Sequence, residues 1–359
     1  MGHHRSSTTG ERVMGSGSVQ GRTVAVFGAY GHTGRFVVAE LRERGFVPLL
    51  VGRDEAKLRA LAAQWPGLEA RPASVDDPDA LDRAFAGAAA VVNCAGPFAS
   101  TAGPVIEAAL RARIPYVDVA AELEANLDTF EQYAEPARAA GVPVVPAMAF
   151  FGGLGDLLVT TAMGDWTAAD EVDIAYGLSS WHPTAGTLAA GAVSAERRGG
   201  RRIRFTGGRL VHHDEALPTS EWDFPEPLGP QKVIAEFTMA DVVTVPTHLT
   251  VSEVRSHMTA VAAADLASGA EAPTPVDERG RSAQTFVVDV RVRAGGVERR
   301  AVASGQDIYA ISAPLAVEAV ARVLAGRVLA SGVASAGAAF DAADFLRALG
   351  SYLTLETNA

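Results

Sequence analysis

Gly28, Gly31 and Gly34 stand at three-residue spacing in FGAYGHTGRF, between the apolar run TVAVF and a stretch, FVVAEL, whose apolar residues recur at helical period. Glycine at 28 lets the chain turn tightly, glycine at 31 lets backbone approach a pyrophosphate, and glycine at 34 lets the helix close on the strand. The helix then points its free amides and the positive end of its dipole at the phosphates. Thr33 can add a hydroxyl to that anion, while Tyr30 and His32 complete the loop, His32 facing phosphate or solvent. This pattern calls for a dinucleotide; the plain alternative is an ordinary strand-to-helix turn.

Which dinucleotide is read at the tip of the next apolar run, VPLLVG, followed by Arg53-Asp54-Glu55-Ala56-Lys57. An acidic residue at this tip would pair with the ribose hydroxyls of NAD. Gly52 stands near the place of that acid, and Arg53 offers a cationic fork for a 2'-phosphate, with Lys57 one helical turn further on. The expected cofactor is NADPH or NADP. In the competing reading, Asp54 binds the ribose and the two cations are a solvated surface. Further along, Cys94-Ala95-Gly96-Pro97 follows AAVVN at a strand end, where small residues permit close approach to the nicotinamide. Cys94 reads as a contact rather than a nucleophile, because its surroundings are apolar and no histidine is near in sequence.

Hydride chemistry on an imine, enone or ketone also needs a proton donor or polarising group. No tyrosine has a lysine four residues later, which excludes the short-chain dehydrogenase pair, and the only lysines are Lys57 and Lys232. Three catalytic candidates follow from position and residue type: Asp118 and Glu122 at the end of YVDVA, and His182 in GLSSWHPTAGT. The alternative for the carboxylates is capping of the following helix; for His182 it is a surface position beside a packed Trp181. No metal-ligand spacing emerges.

These residues need a frame. Apolar runs at 23–28, 47–52, 68–72, 89–94, 116–120 and 142–148 alternate with amphipathic stretches, which predicts six parallel strands joined by crossover helices. The fold class is α/β, a doubly wound parallel sheet. After Phe150 the rhythm changes to EVDIAYG, RRIRFT, GRLVHH, KVIAEF and TFVVDVRVRAGGVERRAVA, with a helix near 187–196. A second, largely antiparallel α+β domain is expected there. The Ala-, Gly- and Pro-rich segment 264–284 reads as a mobile connection, and helices are expected at 311–324 and 341–349, packing back on the first domain. The divisions are thus a polar tail at 1–20, a dinucleotide domain at 21–150, a second domain at 151–309 and returning helices at 310–359.

Composition narrows the function classes. With 359 residues the chain exceeds one comfortable core, and 48% hydrophobic residues with 20% charged ones exclude wholesale disorder. A net charge of −11 would repel a phosphate backbone, which argues against nucleic acid as a general partner. One cysteine permits no internal disulfide, no apolar run is long enough for a membrane span, and the tail lacks the apolar stretch of a secretory leader. His3 and His4 in that tail are assigned no role. A cytoplasmic protein acting on a small-molecule substrate is expected.

The chain resembles the saccharopine dehydrogenase-like reductases, which include small bacterial members and trans-acting enoyl reductases. The resemblance rests on GAYGHTG at 28–34, GRDEAKL at 52–58, VNCAGPF at 92–98, IPYVDVAAE at 114–122, FFGGLGDLL at 150–158 and GQDIYAISAPLAVEAVARVLAG at 305–326. It implies a Rossmann domain with the α+β domain inserted, NADP-dependent hydride transfer to a C=N or C=C bond, and often a homodimer. GAYG, VAAE and FFGGLGD differ from commoner family forms, which leaves the substrate open. Ketone reduction and a non-catalytic role as an NADP-binding sensor or scaffold are the other readings.

Overall fold

The computed structural model describes residues 21–358; the tail expected at 1–20, with His3 and His4, lies outside them. The first half alternates strand and helix: β1 (Thr23–Phe27), α1 (His32–Glu43), β2 (Val47–Gly52), α2 (Glu55–Gln64), β3 (Ala70–Pro72), α3 (Pro78–Phe85), β4 (Ala90–Asn93), α4 (Phe98–Ala112), β5 (Tyr116–Asp118), α5 (Leu123–Ala140) and β6 (Val144–Val145). The six strands are parallel in the order β3-β2-β1-β4-β5-β6, so the order reverses between β1 and β4. A crevice opens at the carboxyl ends of those two strands.

Both faces of this sheet are buried, which is why its strands read as nearly unbroken apolar runs. Along β1, Ala25 and Phe27 join a core with Leu81, Phe85, Val105 and Ile106 from α3 and α4. Val24 and Val26 join a second core with Val37 and Leu41 of α1, which continues without a break into the other half of the chain. Local capping starts several helices: Asp54 accepts from the Lys57 amide at 3.0 Å to open α2, and Asp77 accepts from Ala80 at 3.0 Å to open α3 behind Pro78.

A turn at Phe150–Leu154 leads to α6 (Gly155–Met163), β7 (Ala168–Leu178), α7 (Ala185–Arg197), β8 (Arg202–Thr206), β9 (Arg209–His213), β10 (Thr219–Asp223) and β11 (Pro230–Ile234). Then come α8 (Asp241–Thr244), β12 (Thr250–Thr259), α9 (Ala260–Ser268), β13 (Thr285–Ala294), β14 (Val297–Gln306), α10 (Ser312–Leu324), α11 (Ala336–Ala339), α12 (Ala342–Ala348) and β15 (Thr354–Asn358). The second sheet runs β10-β11-β12-β7-β13-β14-β15, with β8 paired to β12 and β9 paired to β8. Its ladders are antiparallel except for β12 beside β7, which is parallel.

Three strands go beyond the sequence expectation: β10, β12 and β15. In β12, buried Ser256 and His257 break the apolar alternation, and His257 Nε2 pairs with Asp173 of β7 at 2.9 Å. Of the segment 264–284, expected as a mobile connection, residues 264–268 are helical and most of the rest is irregular. The helical residues complete α9, and Asp277 then pins the loop, accepting from the Arg279 and Arg281 amides at 3.0 Å. Side-chain bonds to backbone hold it, a device that composition does not display. At the end of the chain, α10 packs on α1 through Arg44 and Glu318 at 2.5 Å, α12 lies on α6, and β15 joins the second sheet. Among the described residues no helix is long and apolar enough to cross a membrane.

Candidate active site

A cavity of about 970 Å³ follows the carboxyl edge of the first sheet and continues between the two halves of the chain. Its floor at one end is the glycine loop. Gly28 has a φ of +83°, and a Cβ there would stand 2.9 Å from the Ala95 Cβ and amide nitrogen, so glycine permits both the turn and the approach of β4. A Cβ on Gly34 would stand 2.2 Å from the Gly28 carbonyl oxygen, so any other residue would push α1 off β1. Unlike α2 and α3, α1 has no side-chain cap: its N-cap is Gly31. Its leading amides are free for an anion, and the loop fits a pyrophosphate.

The tip of β2 separates the two cofactor readings. The Tyr30 ring lies against Gly52, where a Cβ would stand 2.7 Å from Cε1, and the Tyr30 hydroxyl accepts from the Asp54 amide at 3.3 Å. With Tyr30 so placed, no carboxylate fits at 52. Asp54 is spent on capping α2, and its bond from the Lys57 amide holds the carboxyl below its ordinary value. Arg53, Lys57 and Arg35 line this end of the cavity, beside Ser74 and Asp76 from the end of β3. Lys57 pairs with Asp54 at 3.6 Å but is still 66% exposed.

The turn after β4 is organised from below by Asn93, which is fully buried. Its Oδ1 accepts from the Ala95 amide at 3.0 Å, while its Nδ2 donates to Thr101 and to the Tyr116 hydroxyl at 3.3 and 3.2 Å. Cys94, Ala95, Gly96 and Pro97 line the cavity above it. Burial, reinforced by Asp118, pushes the Cys94 thiol up, which leaves it a neutral contact.

Of the three catalytic candidates, the structure brings only Glu122 to the cavity. Its Oε1 and Oε2 accept from the Phe98 and Ala99 amides at 2.7 and 3.0 Å, so it caps α4 from across the crevice rather than the helix that follows it. Burial raises its pKa, against the two amides that favour the anion. Asp118 is fully buried beneath the cavity wall. It accepts from Tyr116 at 2.8 Å and from the Ala120 and Ala147 amides at 3.0 and 2.8 Å, tying the ends of β5 and β6 together. His182 turns away from the cavity, its Nδ1 2.9 Å from the Glu271 carbonyl. The neighbour that does face inward is Trp181, only 3% exposed.

At the other end, sequence reasoning passed over Tyr309, Ser194, Arg198, Phe237, Met239 and Leu266. Tyr309, in the loop between β14 and α10, places its hydroxyl 3.2 Å from Trp181 Nε1, 3.3 Å from the Thr184 amide and 2.9 Å from Thr187 Oγ1. Its ring meets that of His32 edge-on at 5.1 Å, linking this end to the glycine loop. Burial lowers the pKa of His32. Ser194 and Arg198 reach in from α7 and its end, both toward Glu124, with Arg198 Nε 3.5 Å from the carboxylate. Phe237, Met239 and Leu266 supply apolar wall. Their signal in the sequence is faint, because they come from separate segments, Tyr309 and Thr184 lying 125 positions apart.

Residues 24–145 match the family described as saccharopine dehydrogenase NADP binding domain. A probable mitochondrial saccharopine dehydrogenase-like oxidoreductase of Arabidopsis thaliana is 29% identical over 143 residues, 35% of this chain and 31% of that protein. The match thus spans about a third of the length of this curated relative. Apo saccharopine dehydrogenase (L-Glu forming) from Saccharomyces cerevisiae superposes with a TM-score of 0.64 over 94% of this chain and 100% of that one, at 12% identity, which is likeness of fold. The matched stretch, an NADP binding domain by its description, contains the glycine loop and the uncapped α1. Residues 24–145, about a third of the chain, are thus similar to the saccharopine dehydrogenase NADP binding domain, and the chain as described carries the saccharopine dehydrogenase fold.

Proposed function

We propose that the protein is an NADP-dependent reductase that transfers hydride to a C=N or C=C bond of a small organic substrate. The observation that carries this reading is the continuity of one cavity, from the cationic tip of β2, past the glycine loop, to a chamber walled by Trp181, Phe237 and Met239. A protein that only held a dinucleotide would need no such second chamber. When bound, the dinucleotide supplies the hydride.

The chain's own residues divide the remaining work. Arg53, with Arg35 and Lys57, suits a 2'-phosphate, and Tyr30 against Gly52 disfavours the carboxylate that NAD recognition would use. Asp118 and Glu122 are positioning residues in this reading, Asp118 fixing the ends of β5 and β6 and Glu122 the start of α4. The apolar chamber wall limits water around the acceptor bond. A cytoplasmic homodimer belongs to the same reading, and sedimentation of the purified chain tests the assembly.

The test is loss of NADPH absorbance with a panel of imines, enones and ketones. Substrate-dependent oxidation with imines or enones, and preference for NADPH over NADH, is expected. Turnover of ketones alone would move the reading to a ketone reductase, and NADPH binding with no turnover would support a sensor.

A further inference from the structure

We propose that Tyr309, Thr187 and Thr184 form a hydroxyl relay that presents one O–H group to the acceptor atom of the substrate and delivers the proton of the reaction. The proposal rests on the reductase reading above and adds to it the proton donor that Asp118 and His182 do not supply.

The case is a count of protons. Around the Tyr309 oxygen stand two groups that can only donate, Trp181 Nε1–H at 3.2 Å and the Thr184 amide at 3.3 Å. They occupy its lone pairs, so the phenolic proton is directed at Thr187 Oγ1, 2.9 Å away. Thr187 Oγ1 lies in turn 3.0 Å from Thr184 Oγ1, which also accepts from the Thr187 amide at 3.1 Å. One threonine proton fills the contact between the two hydroxyls. The other has no acceptor among the described residues, and both threonines line the cavity. The network therefore offers a donor and no spare acceptor on the phenol. Such a site suits an acceptor heteroatom, either an imine nitrogen or the carbonyl oxygen of an enone.

The step balances without further reagents. A bound reduced nicotinamide would supply hydride to the acceptor carbon, and the π pair would then fall on the heteroatom, at once for an imine and through the conjugated system for an enone. The heteroatom takes the Thr184 proton, Thr187 refills Thr184, and the Tyr309 proton passes to Thr187. The phenolate left behind is held by Trp181 Nε1–H and the Thr184 amide, and solvent later returns the proton. An enol formed from an enone tautomerises to the ketone. The charged and titratable groups around Tyr309 are His32 on α1, Asp307 in its own loop and Asp265 on α9, the last two already occupied by backbone amides.

The experiment compares the wild-type protein with Tyr309→Phe, Thr187→Val and Thr187→Ser. A general acid contributes about 100-fold or more, so Tyr309→Phe and Thr187→Val should lower kcat by roughly that factor. NADPH affinity, read by its fluorescence, should hold, and Thr187→Ser should restore kcat. In the cofactor-free protein, the Trp181 indole N–H resonance should move in Thr187→Val and return in Thr187→Ser. Wild-type-like kcat in both Tyr309→Phe and Thr187→Val, or an indole resonance indifferent to residue 187, would overturn the relay and leave the reductase reading standing. No turnover by the wild-type protein would overturn both.

Discussion

At the scale of single residues, recognition of the cofactor turns on which side chains are free and which are spent. Asp54 and Arg53 are neighbours at the tip of β2, yet the aspartate is consumed by the first turn of α2 while the arginine lies open on the cavity wall. Arg53→Ala should therefore weaken NADPH binding by about tenfold, the worth of one charge-assisted bond at an accessible site, and leave NADH binding unchanged. Fluorescence titration with both nucleotides checks this; equal losses for the two would show that Arg53 does not read the 2'-phosphate. The glycine loop and Arg53 were legible in the sequence because each acts through its local backbone. The directions of Asp118 and His182 were not. A side chain's orientation is decided by partners such as the Ala147 amide and the Glu271 carbonyl, and neither lies nearby in sequence.

At the scale of elements, the site is held by helix ends. The N-terminus of α1 is left open for an anion, whereas that of α4 is closed by Glu122 on the far side of β5. Glu122→Ala should cost about 1–2 kcal/mol, in the range of a lost N-cap. A lower denaturation midpoint at unchanged slope would report it, and an unmoved midpoint would show the cap to be idle. The six strands of the first sheet could be read directly, because burial on both faces makes each an apolar run between turn residues. Strand β12 could not. It sits in the middle of the second sheet with a histidine and a serine buried, and those polar residues interrupt the apolar alternation that marks a strand.

At the scale of the whole molecule, two buried polar clusters connect distant parts of the chain. Asp241 on α8 accepts from Tyr176 of β7 at 2.7 Å. Burial, together with the nearby Asp156, raises its pKa to about 7. The folded state therefore keeps a proton that the unfolded chain releases near about pH 4. Stability from this group is complete below that pH and is lost progressively as pH rises to about 7, then levels off. Asp241→Asn should remove this slope, so its stability relative to wild type should rise from pH 4 to 7 in denaturant titrations. A constant difference across that range would show that Asp241 does not titrate there.

The second cluster joins α1 to α10 and α12. Glu318 holds Arg44 at 2.5 Å and Arg322 at 2.6 Å, and Arg322 is only 3% exposed. Glu318→Ala would leave the buried Arg322 Nε without its partner, while Asp344 keeps its carboxylate and carbonyl contacts at 2.9 and 3.2 Å. A loss of about 3 kcal/mol in unfolding free energy is expected. A change below about 0.5 kcal/mol, the ordinary range for a surface substitution, would place the pair among ornamental contacts.

From its residues alone the chain determined the glycine loop, the parallel ladder around it and the choice of an arginine at the β2 tip, since each follows from backbone conformation or short-range spacing. Tertiary structure alone decided that Tyr30 fills the seat over Gly52, that Glu122 caps α4, and that Tyr309 meets Thr184, Thr187 and Trp181. These contacts depend on how two domains close over one cavity, and no local pattern encodes which distant hydroxyl will fall within hydrogen-bonding distance.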